Sequence, residues 1–273
     1  MKTLYLSDLD GTLLRSDQRI SEYTAKVINN FVAGGGMFSY ATARSIVTSS
    51  KVAKGFNATL PVICANGAFI LDPNTRGVLV SHNFTKDEVD FVAEIMASHS
   101  VLPLVYALID SKERFSFVEH KNICIGLQNF FNDRKDDPRK RQAATAQDLY
   151  HGNVYYFNYI GDKEKLKVLY DIFVKDKRFY SIFSKDVYSD DWFFEILPKN
   201  ATKAAAALEL KKMLGCDRLV VFGDGVNDKP MFAVADESYA MANAVSELKE
   251  IATDVIESND NDGVAKWIEK NTM

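Results

Sequence analysis

Residues 4–14 read Leu4-Tyr5-Leu6-Ser7-Asp8-Leu9-Asp10-Gly11-Thr12-Leu13-Leu14. A short apolar run, Leu4–Leu6, ends in two carboxylates with one residue between them, and Gly11 and Thr12 follow at once. An apolar run closed by a glycine signal predicts a buried strand and its exit turn. In open α/β sheets, ligands bind outside the carboxyl ends of the strands. Asp8 and Asp10 therefore stand where such a fold does its chemistry, although a solvated turn would also use Asp and Gly.

Working outward, the first part of the chain alternates strand and helix patterns. Ser21 is placed to cap a helix over about 22–33, which Gly34-Gly35-Gly36 stops. Strands are expected at 37–41 and 61–65, with a helix over about 45–54 between them, and 68–71 with 78–80 reads as a hairpin. The last part returns to the same order: a helix over 201–214, strands at 218–222 and 238–241, and helices near 230–235, 245–252 and 264–270. Strands separated by helices predict a doubly wound parallel sheet. Residues 83–189 have a different, α+β pattern, with helices at 86–98 and 164–174 and strands at 103–109, 114–119, 153–160 and 180–184. The chain thus reads as a discontinuous α/β domain, 1–82 and 190–273, interrupted by an α+β insertion at 83–189. The strand at 192–196 is expected in the α/β domain.

Composition narrows the function. The 273 residues are 47% hydrophobic and 26% charged, with net charge −4, the balance of a globular protein. Nothing here favours nucleic acid, which needs a basic face. Cys64, Cys124 and Cys216 are odd in number and widely spaced, which argues against a disulfide framework and a zinc site. No stretch approaches 18 uncharged apolar residues, and the N-terminus lacks a signal pattern, so a cytoplasmic location with no membrane span is expected. No obligate protein partner is indicated.

Polar groups recur at the expected strand ends. Asp8 and Asp10 follow the first strand, Thr42 the second, and Asp224, Asn227 and Asp228 the strand at 218–222, while Lys203 opens the helix after 192–196. If these strands share a sheet, the groups converge on one crevice. Asp8, Asp224 and a backbone carbonyl near Asp10 are hard oxygen ligands of the kind Mg²⁺ takes together with a phosphate. Lys203 would balance the remaining negative charge. Thr42 and the backbone N–H groups near Leu9 and Asp10 would donate to phosphate oxygens. Positioning, charge neutralisation, a nucleophile and a proton carrier are what phosphoryl transfer requires.

These segments resemble, in order, the four motifs of the haloacid dehalogenase (HAD) superfamily. Asp8-Leu9-Asp10-Gly11-Thr12 is similar to its DxDGT, Ala41-Thr42-Ala43-Arg44 to its second motif, Lys203 and its surroundings to its third, and Gly223-Asp224-Gly225-Val226-Asn227-Asp228 to its GDGxND. Asn66-Gly67-Ala68, Met241-Ala242-Asn243-Ala244 and 258–264 resemble Cof-type, sugar-phosphatase-like members. The insertion's position and pattern are similar to a class IIB cap on a Rossmann-like core. The resemblance implies that Asp8 is a nucleophile forming an aspartyl-phosphate and that Asp10 is general acid and then base, its carbonyl also binding Mg²⁺. It implies that Asp224 holds Mg²⁺, that Asn227 and Asp228 orient the site, and that Thr42 and Lys203 hold the phosphoryl group; motif position favours Lys203 over nearby Lys199. Arg44 reads as a substrate or phosphate contact or as a surface residue, and Asn66 as a substrate contact or a turn former. Two positions depart from the pattern: Ala43 stands where glycine is usual, and Ala204 where glycine usually follows the lysine.

The expected activity is Mg²⁺-dependent hydrolysis of a small phosphorylated metabolite, foremost a sugar phosphate. A phosphomutase sharing the aspartyl-phosphate and a catalytically silent phospho-ligand binder are the alternatives.

Overall fold

The computed structural model describes residues 1–119, 123–185 and 190–272. The chain forms two compact units: Met1–Ser81 with the chain from Asn200 onward, and His82–Lys199.

In chain order the first unit contains β1 (Thr3–Ser7), α1 (Glu22–Ala33), β2 (Met37–Tyr40), α2 (Ile46–Val52), β3 (Val62–Cys64), β4 (Phe69–Leu71) and β5 (Val78–Ser81). The second contains α3 (Lys86–Ser98), β6 (Leu104–Ile109), β7 (Lys112–Phe117), α4 (Ile125–Asp133), β8 (Lys140–Gln142), β9 (Asn153–Gly161), α5 (Lys163–Phe173), β10 (Phe179–Lys185) and β11 (Trp192–Pro198). The chain then re-enters the first unit with α6 (Lys203–Met213), β12 (Arg218–Gly223), α7 (Lys229–Val234), β13 (Glu237–Met241), α8 (Ser246–Lys249), β14 (Asp254–Ile256) and α9 (Gly263–Thr272).

The main sheet of the first unit runs β14-β13-β12-β1-β2, and every pairing is parallel. Its central strands are apolar on both faces: Leu4, Leu6, Leu219, Val221 and Phe222 are fully buried, as a parallel sheet covered by helices requires. Helix starts follow their caps. The Ser21 hydroxyl accepts from Thr24 N–H and the Thr202 hydroxyl from Ala205 N–H, each filling an orphan donor of the first turn.

The structure differs from the expected sheet at β3. That strand touches the end of β2 through a single parallel bridge, Ala41 with Ile63, and otherwise pairs antiparallel with β4, which pairs with β5. The reversal at 65–67 is immediate, so the backbone groups of this three-residue strand are satisfied by the hairpin rather than by a longer parallel ladder.

The second unit is a six-stranded sheet, β10-β11-β9-β6-β7-β8. Val92 and Met96 of α3 and Leu169 and Phe173 of α5 form one core with Phe157, Phe194 and Ile196 of the sheet. Leu104, Phe115 and Phe130 form a second. Residue 189, the expected end of the insertion, lies outside the described residues. The strand expected at 192–196 is β11, and it pairs antiparallel with β9 and β10. Residues 190–199 therefore go with the second unit, because their backbone hydrogen bonds are made there. No described helix is long and apolar enough to cross a membrane.

Candidate active site

The parallel register places three polar segments side by side. Ser7 pairs with Phe222 on one flank and Tyr40 on the other, so Asp8, Asp224 and Thr42 all leave the carboxyl edge of the sheet. Leu9–Leu13 is a tight coil in which Gly11 takes φ +74°. A Cβ there would sit 2.2 Å from Asp224 Oδ2, so only glycine lets the two loops approach this closely.

Lys203 opens a helix, as expected, but the strand before that helix is not in the parallel sheet. The lysine is the first residue of α6, and it is 2% exposed. Its Nζ donates to Asp8 Oδ1 at 2.5 Å and to Asp228 Oδ1 at 2.7 Å. The other oxygen of Asp228 accepts the backbone N–H groups of Asp224 and Gly225, each at 3.0 Å. Thr12 Oγ1 donates to Asp224 Oδ1 at 2.9 Å. Gly67, at φ +102°, lies so close to the start of α6 that a Cβ would meet Thr202 O at 2.2 Å. Lys199 is the last residue of the second unit.

Carboxylate oxygens of Asp8, Asp224 and Asp228 lie within 4.8 Å of one another. Burial pushes the Asp8 carboxyl up to about 8, against the pull of Lys203 and with Asp228 adding to the rise. Burial likewise raises Asp224, to about 6. For Lys203, burial opposes the charge, but Asp228 and Asp8 outweigh it and hold the ammonium above its ordinary value. Three carboxyl groups beside one ammonium offer only hard oxygen donors, so the set fits a divalent cation. Asp228, expected only to orient the site, is thus a member of the acidic cluster.

Asp10 is separate. Arg44 holds its carboxylate at both oxygens, Nε to Oδ2 at 2.7 Å and Nη2 to Oδ1 at 2.5 Å. Arg44 Nη2 also donates to Gln18 Oε1 at 3.0 Å. The guanidinium therefore meets another site residue. Thr42 is fully buried; its Oγ1 accepts Arg44 N–H at 3.1 Å. Ala43 is not among the positive-φ residues, so the loop needs no glycine there. Asn66 takes a left-handed conformation, φ 54°. Its N–H donates to Thr42 O at 3.0 Å, and its Oδ1 faces Asn227 Nδ2 at 3.5 Å. It forms the turn and also links two of the loops. Leu9 is buried, and its carbonyl accepts Leu14 N–H at 2.8 Å.

Two contributors were missed from sequence. Thr12 was in the opening motif and its hydroxyl was the available signal. Asn243 donates to Gly11 O at 2.8 Å; its segment was read only as a family resemblance, and a contact across 232 residues has no local signal for its partner.

A parallel sheet bearing an aspartate cluster and a buried lysine at its carboxyl edge has the groups that phosphoryl transfer uses. Residues 5–268 match the model of the haloacid dehalogenase-like hydrolases. The chain belongs to this family, and it is a phosphatase of it. A Bacillus subtilis protein, 5-amino-6-(5-phospho-D-ribitylamino)uracil phosphatase YwtE, is 27% identical over 282 residues, 96% of each chain. The crystal structure of TM0651 from Thermotoga maritima is 25% identical, covers 100% of this chain and 98% of its own, and superposes with a TM-score of 0.80. The HAD subclass IIB sugar phosphatase BT4131 shares the fold, with a TM-score of 0.74 at 19% identity over 99% of this chain and 98% of its own.

Proposed function

We propose that the protein is a Mg²⁺-dependent phosphatase that hydrolyses a small phosphorylated metabolite, foremost a sugar phosphate, through an aspartyl-phosphate on Asp8. The observation that carries this reading is the buried Asp8–Lys203–Asp228 contact with Asp224 alongside, set at the carboxyl edge of the sheet, while Asp10 stands on its own arm. The two acids of the opening motif are thereby in different surroundings, as two different roles require.

In the first step a carboxylate oxygen of Asp8 bonds to phosphorus while the phosphorus–oxygen bond to the leaving alcohol breaks. Asp10 gives that alkoxide its proton. In the second, a water oxygen bonds to phosphorus, the bond to Asp8 breaks, and Asp10 takes the water's proton. Inorganic phosphate leaves and Asp10 is protonated again. The Arg44 pair fixes the direction of the Asp10 carboxyl through both of its oxygens. Asp8, Asp224, Asp228 and the Asp10 carbonyl would hold Mg²⁺, which when bound neutralises the charge of the phosphate oxygens. Thr42, Lys203 and the N–H of Leu9 would hold the phosphoryl group. Lys203 also favours the ionised form of Asp8, against burial, and orients it for attack.

The named activity of the Bacillus relative adds phosphorylated ribityl compounds to the candidate substrates, beside hexose and pentose phosphates. The test is phosphate release over such a panel. We expect turnover with Mg²⁺, loss of it with a chelator, and a fall of about a thousandfold or more in Asp8→Asn. Undiminished turnover in that variant contradicts the mechanism.

A further inference from the structure

We propose that Asn243 is a positioning residue for Asp10, acting through the Gly11 carbonyl; this rests on the reading of Asp10 as general acid. Asn243 lies in the loop after β13 and touches none of the reacting groups. Its Nδ2 donates to Gly11 O at 2.8 Å and its Oδ1 accepts Asn259 N–H at 3.0 Å. The two bonds determine each other's direction. Reversing the amide would set NH₂ against N–H and oxygen against oxygen. The side chain therefore presents a donor to the peptide unit that follows Asp10-Gly11.

That turn needs holding. Gly11 sits at φ +74° against Asp224, a conformation in which glycine gains no side-chain packing and retains wide backbone freedom. Thr12 fixes one side of it on Asp224, and Asn243 fixes the carbonyl between Gly11 and Thr12. The segment beyond is gripped by the same C-terminal stretch. Asn259, 6% exposed, donates to Leu14 O at 3.0 Å; Asp260 accepts from Ser16 N at 2.8 Å and Ser16 Oγ at 2.7 Å; Asp262 accepts from Arg15 at 2.5 Å and 3.1 Å. Asn243 extends this grip to the turn that carries the proton-transfer acid. A misplacement of about 1 Å at such a group costs about a hundredfold in rate.

The test separates positioning from general damage by leaving group. p-Nitrophenolate leaves without a proton, whereas a sugar alkoxide needs one. kcat/KM is measured on p-nitrophenyl phosphate and on whichever of glucose 6-phosphate, ribose 5-phosphate and erythrose 4-phosphate the wild-type chain hydrolyses fastest. Asn243→Ala loses both bonds; Asn243→Asp keeps the acceptor for Asn259 and loses only the donor, so it carries the test if the alanine variant does not fold. The expected result, in both variants, is a fall of about 10- to 100-fold on the sugar phosphate and of less than about 3-fold on the aryl ester. Equal losses on both substrates, or no loss on either, overturn the proposal. Asp10→Asn is run in parallel. If it shows the bias and Asn243→Asp does not, the positioning role fails and the acid role stands. If Asp10→Asn lacks the bias, the acid role itself fails.

Discussion

At the scale of single residues, Lys203 is where the site and the stability of the chain meet. Its ammonium is buried between Asp8 and Asp228, and removing one partner of a buried ion pair leaves an uncompensated charge. Lys203→Met is expected to lower stability by about 3–5 kcal/mol in the metal-free protein at neutral pH, measured by urea unfolding. A loss below about 1 kcal/mol would mean that the buried contact adds little net stability. Motif position singled the residue out, and the fold places it on Asp8 and Asp228; the unit of the strand before it was not legible. From sequence it opened a helix after a strand assigned to the same sheet; the helix start is as expected, but in the fold that strand belongs to the other unit. Asp10 and Arg44 were each legible as candidates. Their pairing was not, because it depends on how far two loops at adjacent strand ends lean together.

At the scale of elements, the site is held by loops that bind one another more than by the strands that launch them. The C-terminal turn around Asp262 is a clear case. Asp262 is left-handed, φ 58°, and accepts from Arg15, from Ser21 Oγ at 2.7 Å and from Thr24 Oγ1 at 3.1 Å. Burial pushes its carboxyl up, but Arg15, Ser21 and Thr24 outweigh burial and hold it below the usual range. A depressed folded-state value means that the unfolded chain binds this proton more tightly. The stabilisation is therefore complete above the unfolded value, about 4, and is lost as pH falls through the depressed one. The stability difference between wild type and Asp262→Asn, followed by denaturant unfolding from pH 7 downward, should stay constant to about pH 5 and shrink below about 4. A difference that persists unchanged into acid would show that the carboxylate charge contributes nothing. The helices and the strands at 4–6, 37–41 and 218–222 were legible because periodicity and caps are local. The β3 hairpin and β11 were read with the wrong neighbours, since a short apolar run does not say which strand it will pair with.

At the scale of the whole molecule, the alternation of strand and helix, its interruption and its return were written in the sequence, and the two units follow them with a shifted second boundary. The main sheet is parallel throughout and gathers Asp8, Thr42 and Asp224 at one edge, which explains how residues more than 200 positions apart form one centre. What a single sequence leaves to the folded chain is the choice of contact within that centre: Asp228 in the acidic cluster, Thr12 on Asp224, Asn243 on Gly11. The central claim is that Asp8 carries the phosphoryl group between the two steps. It is tested most directly by acid-quenching the Asp10→Asn variant during turnover with Mg²⁺ and p-nitrophenyl phosphate, whose leaving group needs no proton, then mapping phosphopeptides by mass spectrometry. The account predicts one phosphoryl group on the peptide containing Asp8, absent when Asp8→Asn is added to the variant. Continued phosphate release with no phosphoryl group on that peptide would contradict it.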